Sequence, residues 1–144
     1  MVQARQDRVL PDAARATPLV VWAARLSLYF LLQGGLLLLA YAYYGLDTDP
    51  QSFPAGQRLD PIHAAVHFLW GLAGTYVGFF KPAWATGYLL AFAAFYTLLA
   101  VLGTFTAHHL GMQLNDAVNL FHWTLVPPAW AIGLYGLWRE RHPT

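Results

Sequence analysis

Histidine is the residue in this chain best equipped for chemistry, and two stretches concentrate it. DPIHAAVHFLWGLAG (60–74) sets His63 and His67 four residues apart, so on a helix both imidazoles leave the same side. LNDAVNLFHW (114–123) sets Asp116, Asn119 and His122 at intervals of three. Neutral imidazoles at matching depth on facing helices can ligate a haem iron axially, and a single one can ligate the magnesium of a chlorophyll. His67 and His122 are the leading candidates, with His63 and Asn119 beside them. His63, His67 and His122 are also candidate ligands for a divalent metal, completed by a carboxylate or a loop histidine. The plain alternative is hydrogen bonding between helices, which contributes about 0.6 kcal/mol per polar group and up to ~1–2 kcal/mol in a membrane. His108 and His109 are adjacent, diverge on any regular element, and read as residues of an interfacial loop. With no cysteine, thiolate nucleophiles, disulfides and Cys-ligated zinc or iron–sulfur sites are excluded. No nucleophile elbow, phosphate loop, dinucleotide fingerprint or HExxH is present.

The elements that must position these residues are apolar. The chain is 58% hydrophobic and 10% charged, against roughly 25% charged in a soluble domain, and its 144 residues make one domain. A soluble fold of this size could not hide so much apolar surface, so the solvent implied is lipid. Residues 1–18 form an Arg-rich cytoplasmic N-terminal arm, and residues 19–138 form a membrane domain with spans at about 19–44, 61–80, 83–105 and 115–138. Residues 139–144 form a cytoplasmic tail. A cleaved signal peptide would end its apolar region on small residues, which YAYYGLDTDP does not supply, so the first span is read as retained. The segment 45–59 reads as a loop. Asp60 and Asp116 read as helix caps, the former followed by Pro61 at the first helical position. Pro127-Pro128 removes two backbone donors, predicting a kink that frees the carbonyls of Trp123 and Thr124, with the Thr124 hydroxyl as a local partner.

Seven of the eight Lys and Arg residues fall on one side of this arrangement, Arg58 alone opposing them, which places both termini in the cytoplasm. Five of the six histidines then cluster at the outer end. At 1.5 Å per residue, His67 and His122 lie on the order of 10 Å inside their helix ends. His63, His67, Gly71, Gly74 and Gly78 share one stripe; Asp116, Asn119, His122, Val126, Ala129, Gly133 and Gly136 share another. Gly71, Gly74, Gly78, Gly133 and Gly136 are the small residues that let helices approach. Both stripes should face the interior, because lipid offers polar groups no partner.

DPIHAAVHFLWGLAG, LNDAVNLFHW and RLSLYFLLQGGLLLLAYAYYG together resemble a bacterial membrane-protein family known as domain-of-unknown-function family 4383. The resemblance covers most of residues 25–138 and rests on about ten specific positions. It implies four spans, the second and fourth carrying an N/D-x-x-H/N-x-x-x-H or D-x-x-N-x-x-H pattern followed by Gly-rich apolar sequence, and it brings no established activity. Pro127-Pro128 and His108-His109 depart from the pattern.

The fold expected is an all-α, integral membrane four-helix bundle of two similar helix hairpins. The function expected is that of a small non-enzymatic accessory subunit of a larger complex in a bacterial inner membrane. Its partners would be the lipid bilayer and other membrane subunits or itself; a net charge of +1 gives nucleic acid no purchase. A haem- or chlorophyll-binding protein is the rival, and a metal-dependent membrane enzyme the third class.

Overall fold

The computed structural model describes residues 16–46, 51–52, 56–106 and 109–142. Helices dominate: α1 (Pro18–Arg25), α2 (Leu28–Tyr44), α3 (Pro61–Phe80), α4 (Ala85–Phe105) and α5 (Asp116–Arg141). The expected first span is therefore two helices. Ser27 N–H bonds the Ala24 carbonyl and Tyr29 N–H that of Leu26, so the ladder tightens to i−3 bonds for one turn before resuming. Ser27 is buried there and donates to the Tyr88 hydroxyl at 2.7 Å, since Tyr88 gives its own proton to the Trp70 carbonyl at 3.0 Å.

The segment expected as loop holds a small antiparallel pair, β1 (Gln51–Ser52) with β2 (Arg58–Leu59). Gly45 ends α2 in the left-handed conformation (φ 58°), which a side chain would disfavour. The Tyr41 hydroxyl donates to the Leu59 carbonyl at 3.1 Å and ties the pair to α2. The fourth span runs past its expected end, because Arg139 and Arg141 form a last turn where cations favour the helix dipole.

α2 packs along α3 and α4 along α5, giving two helix hairpins in one bundle. Glycines set the approach, as expected from the sequence. A methyl at Gly71 would collide with the backbone of Leu31, one at Gly74 with Ser27 and Tyr88, and one at Gly78 with Arg25. Gly133 admits Leu90, and Gly136 admits Thr86 and Val20. Trp130 and Trp123 donate their indole N–H groups to Thr97 and Thr104 at 3.0 and 3.3 Å, joining α5 to α4. α5 continues as one helix through Pro127-Pro128, and the Thr124 hydroxyl bonds the Phe121 carbonyl at 2.7 Å instead of serving a freed one.

Two helical stretches, Pro18–Tyr44 and Pro82–Phe105, are long and apolar enough to cross a membrane. Only 28% and 39% of their most apolar windows are buried. The outward faces of all the long helices carry large apolar side chains, among them Leu36, Leu39, Leu69, Phe80, Leu98, Leu120 and Leu134.

Candidate functional site

α3 and α5 bring three histidines together at one end of the bundle. His63, His67 and His122 are each at most 1% exposed, and one nitrogen from each lies within 4.8 Å of the others. The His63 ring centre is 4.5 Å from that of His67 and 5.3 Å from that of His122, both edge-on. The helix starts explain the convergence. Asp60 caps α3, its carboxylate accepting the His63 backbone N–H at 2.9 Å. α5 is capped by Asn115, which accepts from Val118 N–H at 3.2 Å; Asp116 is the exposed first helical residue, so its expected cap role is corrected. The capping side chain must precede the helical residues, and Asp116 already has helical geometry. Counted from the true caps, His67 follows Asp60 by seven residues and His122 follows Asn115 by seven, two turns into each helix.

Asn119 stands outside the cluster. It lies beside the His122 stripe, and its amide turns to α4, the nitrogen donating to the Ala100 carbonyl at 3.1 Å and the oxygen accepting Thr104 N–H at 3.3 Å. Val118 occupies the buried position instead. His108 lies outside the described residues, and His109 begins the 3₁₀ turn His109–Gly111.

Two residues that sequence reasoning passed over complete the surroundings. Gln33 of α2, buried, accepts from His67 Nδ1 through Oε1 at 2.8 Å. An amide carbonyl can only accept, so the His67 proton sits on Nδ1 and Nε2 keeps its lone pair. That Nε2 is buried without a hydrogen-bond partner in the protein. Tyr96 of α4 is fully buried, its ring 5.4 Å from His122 and 6.4 Å from His67, and its hydroxyl also lacks a protein partner. The visible signal for Gln33 was an amide amid seventeen otherwise apolar or aromatic helical residues. For Tyr96 no signal separated it from the other tyrosines.

Aromatic rings and the connections between helices close the site. Phe30 meets His67 edge-on at 5.0 Å and touches Phe92, Tyr96 and Phe121. Above His63, the second oxygen of Asp60 accepts Gln113 N–H at 2.6 Å, tying the α4–α5 connection over the start of α3. Leu59, Met112 and Leu114 are buried there.

The donor set fits a metal ion. Imidazole ligands lie at about 2.0–2.1 Å from zinc, which puts their nitrogens roughly 3.4 Å apart, so rings within 4.8 Å need to move by about an ångström. Gln33 supplies the outer-shell hydrogen bond that orients such a ligand. The set does not fit a tetrapyrrole between His67 and His122, because His63 packs against both rings and Phe30 and Tyr96 close the other sides. No family model matches the chain, no curated protein matches it, and no solved structure matches its fold.

Proposed function

We propose that this chain is a four-span integral membrane protein whose His63–His67–His122 centre holds one transition-metal ion. The observation that carries the reading is the convergence of three buried imidazole nitrogens within 4.8 Å, one on a ring whose tautomer is set by Gln33. Three imidazoles this close offer a shared cation one lone pair each, a ligand type that suits zinc, copper, iron and nickel. The centre is read as a binding site rather than a catalytic one, because its walls are aromatic rings with no carboxylate in the cluster. Membrane insertion is supported by the belt of exposed leucine and phenylalanine and by the uncharged stretch from Ala117 to Trp138, α3 and α5 taking lower hydropathy from the polar groups they bury. With the positive charges inside, both termini lie in the cytoplasm and the metal centre near the outer face. The resemblance to family 4383 belongs to this proposal through the α3 and α5 segments. Elemental analysis after metal loading and desalting in detergent is expected to return about one equivalent per chain; less than about a tenth would sink the reading.

A second reading, membership of a larger assembly, is favoured by one feature of α4 and the 3₁₀ turn Pro82–Trp84 that leads into it. Ala83, Gly87 and Ala91 recur every fourth residue on an exposed face, and a methyl at Gly87 would meet nothing within 4 Å. Small residues spaced so are how membrane helices admit another helix. They line a lateral groove with Trp84, Val77 and Glu140. The detergent-solubilised particle is expected to be larger than one chain and to fall to monomer mass in Gly87→Leu; equal masses would oppose association through this face.

A further inference from the structure

We infer that the three-histidine centre selects a monovalent soft ion, Cu(I), over divalent ions such as Zn(II). The inference rests on the metal-site reading above and concerns the charge the site can tolerate. All three ligands are imidazoles, which bring no negative charge to an ion, and His67 gives its Nδ1 proton to the Gln33 carbonyl, another neutral group. No acidic residue occurs in α2, α3 or α4, and in α5 none occurs between Ala117 and Trp138. The nearest acid along α3, Asp60, already spends both carboxylate oxygens on backbone N–H groups, those of His63 and Gln113.

Among the described residues, a cation entering this site therefore finds no free carboxylate to ligate it and sits among rings such as Phe30 and Tyr96. The electrostatic cost of moving an ion into a low-dielectric interior grows with the square of its charge, so a divalent ion meets roughly four times the penalty of a monovalent one. In water-facing sites the divalent ion recovers this through carboxylate or hydroxide ligands. Here a hydroxide would have to enter with it, past the strap that Asp60 holds over His63. Cu(I) needs neither: it is stable with two or three neutral nitrogen donors, and imidazole suits copper. A trigonal set of three imidazoles satisfies it with no fourth ligand. The selectivity arises from what surrounds the ligands rather than from the ligands themselves.

The test uses the full chain in detergent or nanodiscs under anaerobic, reducing conditions. Cu(I) affinity is read by competition with a chromophoric Cu(I) chelator, and Zn(II) affinity by competition with a zinc indicator, on the wild-type protein and on His67→Ala and His122→Ala. We expect one Cu(I) per chain, bound at least about 100-fold more tightly than Zn(II), with both variants impaired. Gln33→Glu, which adds a carboxylate against His67, is expected to narrow that ratio by about tenfold or more, chiefly by raising Zn(II) affinity. Histidine-dependent binding of Zn(II) as tight as Cu(I) overturns the charge argument and leaves the metal site standing. Binding of neither ion, or binding unaffected in both histidine variants, overturns the metal site itself. A Gln33→Glu protein with an unchanged ratio would show that local charge does not set the preference.

Discussion

Replacing His67 with alanine is expected to abolish tight metal binding, a loss well beyond the ~10–100-fold that follows removal of an outer-shell partner. Of the three imidazoles, His67 is the best prepared. Gln33 holds its proton on Nδ1, and its Nε2 is buried with no protein hydrogen bond to give up before ligation. The substitution also leaves the buried Gln33 amide without its partner, which destabilises by about 1–3 kcal/mol. Adding Gln33→Leu should therefore restore part of the stability lost in His67→Ala while restoring none of the affinity. Gln33→Leu alone should weaken binding by the ~10–100-fold expected of an orienting residue. Metal competition and thermal unfolding, read together on the three variants, separate ligation from packing. A His67→Ala protein that binds metal within about threefold of wild type would contradict the assignment.

The largest effect on stability is expected at Gly71. A methyl there overlaps the backbone nitrogen and Cα of Leu31, so no side-chain rotation relieves it and α2 must move away from α3. Overpacking ordinarily costs about 1–3 kcal/mol; because the clash is with backbone, Gly71→Ala should lie at or above the upper end. Gly87→Ala is the matched control. It lies in open space on α4, where alanine stabilises a helix interior by up to ~1 kcal/mol relative to glycine. The displacement should also reach the three-histidine cluster, since Phe30 and Gln33 ride on the same helix and both touch His67. Gly71→Ala is thus predicted to lower metal affinity as well as unfolding temperature. Equal unfolding temperatures for the two alanine variants would show that close approach at Gly71 is not needed.

Much of this arrangement was legible in the residues. The apolar runs located the helices, and Asp60-Pro61 located the start of α3. The stripe His63, His67, Gly71, Gly74, Gly78 named the face that is buried, because a period near 3.6 leaves little choice of side. On α5 the stripe was right from His122 downward and wrong above it. Val118 and Asn119 stand four and three residues before His122, both on positions adjacent to its face; the fold buries Val118 and turns Asn119 toward α4. The break at Leu26–Ser27 had no local breaker to announce it; it depends on Tyr88, sixty-one residues away. Gln33 was hidden for a related reason. Its role comes from the pairing of α2 with α3, which a single sequence does not state.

X-ray absorption on the protein loaded with one equivalent of copper or zinc tests the three-histidine centre most directly. The account predicts nitrogen donors at about 2.0–2.1 Å with the outer-shell scattering of three imidazoles, falling to two in His122→Ala. A first shell of oxygen alone, or the same imidazole count after His122 is removed, would contradict it.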